Sequence, residues 1–147
     1  MITYKIGQKI RDADSIAVFL KQNEESFNPK LSELVSINEY AVKIYNNSTL
    51  IISQEGDLTV GLLSFYENDF IHNTAYITYL LVLKSYQGKG IGKSMIEMMK
   101  KYVKERGFNF IDLEVLSDNI LAINFYKNLG FKDYSQKLKS IILRYQI

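Results

Sequence analysis

The sequence predicts an α/β protein with a single domain over residues 1–147, in which a mixed central sheet of about six or seven strands packs against about four helices. Segments with strand and helix patterns alternate along the chain, with no repeat, low-complexity segment or linker between them. A hairpin turn joins two early strands, whereas helical segments separate the later ones. Because hairpins produce antiparallel pairs and helical crossovers produce parallel pairs, the sheet is expected to contain both directions.

The chain begins with a short strand and two helices. Residues 3–6 have the pattern of the strand, and Asp12 or Asp14 can cap the first helix. The segment at residues 24–29 then breaks the helical pattern. A second helix is expected within residues 31–45, where the pattern does not define its ends.

Three strands are expected next. Those at residues 50–53 and 58–66 flank Glu55-Gly56-Asp57, which is a hairpin turn signal. Glu67-Asn68-Asp69 is interpreted as the following turn. A long strand then extends over residues 73–83.

An amphipathic helix follows the long strand. Its apolar face recurs at helical spacing and consists of Ile91, Met95, Met98, Met99 and Tyr102. We interpret the three methionines as core filling. Lys100, Lys101 and Lys104 are interpreted as the solvated face, and Gly107 can end the helix.

The remaining segments are a strand at residues 108–116, a helix and two strands. A side chain at positions 117–119 can cap the helix, and Gly130 can stop it. Its buried face is expected to comprise Leu121, Ala122, Phe125 and Leu129. The closing strand at residues 140–145 is expected to pair with residues 131–134.

Composition excludes several classes of function. The net charge of +2 is small and its charges are interspersed, so no nucleic-acid partner is expected. The N-terminus does not have the pattern of a signal peptide, and no apolar run reaches about 18 residues, so no membrane association is expected. The chain has no cysteine, which excludes disulfides, thiolate metal sites and a cysteine nucleophile. We expect a cytoplasmic protein.

Three glycines at alternate positions lie where the long strand gives way to the helix. The segment reads Gln87-Gly88-Lys89-Gly90-Ile91-Gly92-Lys93. Free amide N–H groups at a helix start, together with the positive end of the helix dipole and two lysines, favour an anion. The loop therefore predicts a phosphate or pyrophosphate site.

Two well-known phosphate loops fail at one position each. A Walker A loop requires G-x-x-x-x-G-K-S/T, and Gly92-Lys93-Ser94 supplies its end, but Gln87 replaces its first glycine. A dinucleotide fingerprint requires G-x-G-x-x-G, and Lys93 replaces its third glycine.

The loop resembles a third pattern, Q/R-x-x-G-x-G/A, which is motif A of the GNAT N-acetyltransferase superfamily. Gln87, Gly90 and Gly92 occupy its fixed positions. The preceding Leu80-Leu81-Val82 is similar to the L-x-V step of that family. A second segment, Asn119-x-x-Ala122-x-x-Phe125-Tyr126-x-x-x-Gly130-Phe131, resembles motif B of the same family. The order of strands and helices resembles the acyl-CoA N-acyltransferase (GNAT-like) fold along essentially the whole chain.

The resemblance implies an acetyl-CoA-dependent N-acetyltransferase that transfers an acetyl group to a primary amine by direct attack, without a metal. The residues implied for the pyrophosphate of acetyl-CoA are Gln87, Gly88, Lys89, Gly90, Ile91, Gly92 and Lys93. The backbone of Leu81 and Val82 would pair with pantetheine as an added strand and help to polarise the thioester carbonyl.

Motif B supplies the other implied contacts with acetyl-CoA. Asn119 would bond pantetheine amides, and Ala122 would keep its helix close to the cofactor. Phe125 and Tyr126 complete the cofactor set. Tyr126 is the implied general acid, because a hydroxyl of high pKa near the sulfur can protonate the leaving thiolate.

The sequence departs from the family at the general base. Many members carry a Glu on the long central strand, but the corresponding residue here is Tyr76, and residues 73–83 contain no carboxylate. The candidates elsewhere are Glu67, Asp69, His72 and Glu114. Bulk water is a further alternative for an amine of low pKa.

The acceptor amine is not identified by the sequence. In the family the first two helices build the acceptor cleft, here roughly residues 14–45, and the residues of interest are Glu24, Glu25, Phe27 and Tyr40. Acidic and aromatic groups suit a cationic amine, but an amino sugar, a polyamine, an amino acid, an antibiotic and a protein amine stay open. A catalytically weak CoA-binding sensor or interaction module is the alternative function. The oligomeric state is open, a homodimer included.

Overall fold

The computed structural model describes residues 1–147, which form one seven-stranded sheet and five helices. The strands are β1 Ile2–Gln8, β2 Thr49–Glu55, β3 Leu58–Asp69, β4 Thr74–Val82, β5 Phe110–Leu116, β6 Lys132–Gln136 and β7 Ser140–Gln146. The helices are α1 Ala13–Gln22, α2 Leu31–Leu34, α3 Ile37–Asn47, α4 Ile91–Glu105 and α5 Ile120–Asn128. None of these helices combines the length and the hydropathy that a membrane crossing requires.

The sheet has the strand order β1-β2-β3-β4-β5-β7-β6. Every neighbouring pair is antiparallel except β4 and β5, which are parallel, so the predicted mixed direction is confirmed. The parallel pairing is short, because it joins only Thr74–Tyr76 to Phe110–Asp112. From Ile77 onward β4 no longer pairs with β5, and the sheet is split between its two halves.

Helices cover the two faces of the sheet and enclose two hydrophobic clusters. The cluster under α4 and α5 includes Phe65, Met95 and Met99, none of which is exposed. The cluster under α1 and α3 includes Leu20 and Ile44, also without exposure. Two of the three methionines of α4 are thus core residues, as expected.

The first two helices largely match the expectation. Asp12 caps α1, since its carboxylate accepts a hydrogen bond from the backbone N–H of Ser15 at 2.7 Å. The helix expected within residues 31–45 is divided into the four-residue α2 and the longer α3. Ser36 separates them and caps α3 through the N–H of Glu39.

The prediction of a turn at residues 67–69 is wrong. β3 continues to Asp69, and the turn lies at residues 70–73. Glu67 is buried in the strand, where Thr49 donates to its carboxylate at 2.6 Å and Arg106 forms an ion pair with it. These two distant partners allow a carboxylate to lie within a buried strand.

The predictions for one face of α4 and one face of α5 also need correction. Lys100 is not solvated, because its ammonium donates to the carbonyl of Leu129 at 2.6 Å and lies 4.1 Å from the ring centroid of Tyr145. On α5 the buried residues are Ile123 and Tyr126, whereas Leu121 is 86% exposed and Ala122, Phe125 and Leu129 are half-buried. Apolar residues surround the start of α5, so periodicity alone did not identify its inner face.

Candidate active site

The glycine loop forms an uncapped helix start with open space in front of it. Gly88 and Gly90 have φ values of 78° and 80°, and a Cβ built on either would meet no atom within 4 Å. The first backbone bond of α4 runs from the N–H of Ser94 to the carbonyl of Gly90 at 2.9 Å. No side chain caps the helix, so the amides before Ser94 are available to an anion.

The third glycine of the loop has a packing role. Gly92 lies in the first turn of α4, and a Cβ there would be 3.2 Å from Cζ of Phe125. It therefore permits close contact between α4 and α5. This close contact ties the glycine loop to the helix that carries Tyr126.

Polar side chains of the loop have defined positions. Nε2 of Gln87 donates to the carbonyl of Val82 at 2.9 Å, which ties the loop to the end of β4. Lys89 lies 5.1 Å from the ring centroid of Tyr86, and both Lys89 and Lys93 are exposed. Both ammonium groups thus lie at the surface.

β4 contains a bulge where it separates from β5. Tyr79 pairs with Ser64 of β3 and Ile77 pairs with Phe65, which leaves Thr78 as the extra residue. The Tyr40 hydroxyl lies 3.1 Å from the Thr78 carbonyl, to which it donates, and 2.7 Å from Oγ1 of Thr78. α3 therefore holds the bulge, and a bulge bends the strand.

A cleft of about 430 Å³ lies at the split between β4 and β5. Its walls come from both strands, from the start of α5, from α3 and from the segment around α2. The lining residues are Ser26, Phe27, Asn28, Pro29, Leu31, Leu34, Tyr40, Ile77, Thr78, Tyr79, Leu80, Leu113, Glu114, Val115, Leu116, Asn119, Ala122 and Tyr126. The cleft thus joins residues of motif B to the central strand.

Tyr126 lines this cleft on α5. Its ring is packed edge-on against Phe125 and Phe131, at centroid distances of 5.1 and 5.4 Å. Burial raises the pKa of the Tyr126 hydroxyl well above its ordinary value, so the group keeps its proton at neutral pH. None of the hydrogen bonds within the chain uses this hydroxyl.

Asn119 and Ala122 lie together at the start of α5. The Asn119 carboxamide oxygen accepts from the N–H of Ala122 at 3.2 Å and so caps the helix, as the sequence predicts for one of residues 117–119. Both residues line the cleft. The amide NH₂ of Asn119 has no partner within the chain and can donate to a ligand.

The four candidate bases occupy different parts of the molecule. Glu67 is held by Thr49 and Arg106, away from the cleft residues. Asp69 ends β3, and His72 lies in the exposed turn that follows, with 3.0 Å between Oδ2 of Asp69 and Nδ1 of His72.

Only Glu114 of the four lines the cleft. The Ser140 hydroxyl donates to its Oε2 at 2.6 Å, and the Lys137 ammonium lies 3.2 Å from its Oε1. These two partners hold the pKa of the Glu114 carboxyl below its ordinary value.

Of the four residues considered for the acceptor, two line the cleft and two do not. Phe27 and Tyr40 line the cleft. Glu24 instead accepts from the N–H of Ser32 at 3.3 Å, and Glu25 pairs with Lys30 at 2.9 Å. Leu31 and Leu34 fall within the segment expected to build the cleft, although the sequence did not single them out. Sequence reasoning missed Tyr79 of β4, because no local pattern marks its convergence with them.

Comparisons with known proteins agree with this architecture. A sequence model described as the acetyltransferase (GNAT) family matches residues 15–131. Thialysine N-epsilon-acetyltransferase of Mus musculus is 30% identical over 97 residues, which cover 63% of this chain and 55% of that protein. Spermine/spermidine N(1)-acetyltransferase of Bacillus subtilis is 31% identical over 83 residues, or 53% of this chain and 55% of that protein. The chain spans about half the length of the curated relatives it matches.

The fold is also found among solved structures. The PaiA N-acetyltransferase of Thermoplasma acidophilum, solved in complex with coenzyme A, has a TM-score of 0.76 and 18% identity, with 99% of each chain covered. Together with the family match over most of the sequence, this likeness confirms the predicted fold. The chain belongs to the acetyltransferase (GNAT) family.

Proposed function

We propose that this chain is an acetyl-CoA-dependent N-acetyltransferase that transfers the acetyl group to a primary amine bound in the cleft. The observation that carries this proposal is the split between β4 and β5, with Tyr126 on one side and the glycine loop at the end of β4. The relatives named above are acetyltransferases of amines, which supports the same reaction class.

The residues at the loop fit the pyrophosphate of acetyl-CoA. Gly88 and Gly90 leave the space in front of the free α4 amides open, and Lys89 and Lys93 add positive charge. The unpaired part of β4, which includes Leu81 and Val82, offers backbone groups to pantetheine on the side facing β5. Asn119, Ala122 and Phe125 would complete this set from α5. Bound acetyl-CoA supplies the activated acetyl group.

Two side chains of the cleft suit this reaction. Tyr126 is protonated at neutral pH and, having no partner within the chain, can donate to a leaving thiolate. Glu114 is the ionised carboxylate of the cleft. We assign Glu114 to attracting the ammonium form of the acceptor. Because the lowered pKa of Glu114 makes it a weak base, the ammonium group releases its proton to water before the neutral amine attacks.

The alternative is a CoA-binding sensor or interaction module without turnover. The observation that favours it is the engagement of Glu114 by Ser140 and Lys137, which leaves the cleft without a free carboxylate. Calorimetry with acetyl-CoA, followed by thiol release with a panel of primary amines, distinguishes the two. Binding with amine-dependent thiol release supports the enzyme. Binding without release for any amine supports the sensor, and preferential binding of ATP contradicts both.

A further inference from the structure

The walls of the cleft are mostly apolar. Twelve of its eighteen lining residues are hydrophobic. The segment around α2 contributes Phe27, Leu31 and Leu34, and the Phe27 ring lies 5.4 Å from that of Tyr79. Such walls gain free energy by covering apolar surface of a ligand.

Charge is scarce in the same cleft. Glu114 is its only charged lining residue, and Lys137 already balances part of its charge, so it can pair with at most one ammonium group of a ligand. The carboxylates of Glu24 and Glu25 lie on the neighbouring turn but are engaged by the backbone of Ser32 and by Lys30. A second ammonium group on the acceptor would therefore lose its hydration without gaining a counter-charge.

The polar groups of the cleft that have no partner within the chain are neutral. Tyr79 is 6% exposed, and its buried hydroxyl makes no hydrogen bond within the chain. Burial raises the pKa of this hydroxyl, so it carries no charge at neutral pH. A neutral hydroxyl cannot neutralise an ammonium group.

We propose, on the basis of the acetyltransferase function proposed above, that the acceptor is a primary amine attached to one apolar body, aromatic or branched aliphatic, and not a polyamine. Glu114 serves the single reacting amine, while Phe27, Leu31 and Leu34 enclose the apolar body. This selectivity differs from what the name of the spermine/spermidine relative states for that protein.

A pair of acceptors with the same number of carbons tests this proposal. Butylamine and 1,4-diaminobutane differ by one terminal amino group, and both are assayed by CoA release from acetyl-CoA. The unaltered protein is expected to have the higher kcat/KM with butylamine. Across ethylamine, propylamine and butylamine, kcat/KM is expected to rise by about fourfold for each methylene that becomes buried. A higher kcat/KM with the diamine would overturn the proposal.

A designed carboxylate provides the second arm. Leu34 lines the cleft yet is 65% exposed, so Leu34→Glu adds a charge there without disturbing the core. We expect it to shift the ratio of kcat/KM toward the diamine. Val18→Glu, on the exposed side of α1 at 52% exposure and outside the cleft, is the matched control and should leave the ratio unchanged.

The outcomes separate this inference from the function on which it rests. An unchanged ratio in Leu34→Glu, with both amines acetylated, overturns the acceptor class and leaves the acetyltransferase function intact. If acetyl-CoA binds but no amine of either kind is acetylated, the acetyltransferase function and the acceptor class are both overturned.

Discussion

The Ser140 hydroxyl donates to Oε2 of Glu114 at 2.6 Å and so links β7 to β5 beside the cleft. Ser140 is buried, whereas the carboxylate side chain is 38% exposed and also meets Lys137. The hydrogen bond from Ser140 is the main reason why the pKa of Glu114 is lowered, and Lys137 adds to the effect. The carboxylate is therefore ionised throughout the neutral range.

Ser140→Ala should raise the pKa of Glu114 toward its ordinary value and lower the free energy of unfolding by about 1 kcal/mol at neutral pH. A carboxyl whose pKa is lower in the folded than in the unfolded chain stabilises the fold above its unfolded pKa. That contribution is lost as pH falls through the folded pKa. The stability difference between variant and parent should thus shrink below about pH 4. Urea unfolding over this pH range measures it.

Ser135→Ala is the control for this prediction. Ser135 is exposed on β6 and its hydroxyl makes no hydrogen bond within the chain, so its removal should change stability little at any pH. An equal loss in both serine variants would show that the bond to Glu114 does not stabilise the fold.

Gly90→Val should abolish or strongly weaken CoA binding. A side chain at this position would occupy the open space before the α4 amides. It would also strain the backbone, because φ is 80° and left-handed conformations cost other residues about 1–2 kcal/mol. Calorimetry with CoA and urea unfolding report affinity and stability separately.

Gly56→Val is matched to this change. Gly56 lies in the β2–β3 hairpin with φ 58° and, like Gly90, has no atom within 4 Å of a built Cβ. Both variants should lose similar stability, but only Gly90→Val should lose CoA affinity. Unaltered affinity in a folded Gly90→Val protein would place the CoA site elsewhere.

Lys89→Ala and Lys93→Ala should each weaken CoA binding by less than about tenfold, because backbone amides supply most bonds and exposed charges contribute little. The double variant should show a weaker dependence of affinity on salt, since fewer screened charges face the phosphates. Titrations at several ionic strengths measure this slope. Lys101 is exposed on α4, the helix that carries Lys93, and Lys101→Ala is the control that should leave the slope unchanged. If the double variant keeps the parent slope, these ammonium groups do not contact phosphate.

Features carried by contiguous residues could be predicted from the sequence. The helix start at Gly90, a cap of α5 among residues 117–119 and the hairpin at Gly56 depend on neighbours within a few positions. The two motifs also indicated the family, and the family implied the fold. Their spacing places Tyr126 and the loop on elements that the structure brings into contact through Gly92 and Phe125.

Features that depend on distant partners could not be predicted. The sequence pattern indicates a turn at Glu67, because its counter-charge comes from Arg106 at the distant end of α4. The bulge at Thr78 becomes visible only when β3 and α3 are placed beside β4. The cleft between β4 and β5 collects lining residues from several separate segments, and Tyr79 has no local signal that distinguishes it from a core residue.

Tyr126→Phe should lower the rate of acetyl transfer by about 10²–10⁴-fold, the usual range for general acid catalysis. The ring and its contacts with Phe125 and Phe131 stay, so CoA affinity and stability should change little. The hydroxyl makes no hydrogen bond within the chain, and its loss leaves no internal partner unsatisfied. Single-turnover transfer from acetyl-CoA to a validated amine isolates the chemical step from acceptor binding and product release.

Phe125→Leu is the control for Tyr126→Phe, because it changes packing and removes no proton donor. Phe125 contacts Gly92 across the α4–α5 contact and lies edge-on to Tyr126, so the smaller side chain should reduce the free energy of unfolding by about 1 kcal/mol. Its single-turnover rate should stay closer to that of the parent than the rate of Tyr126→Phe. A parent-like rate in Tyr126→Phe would remove this hydroxyl from the mechanism.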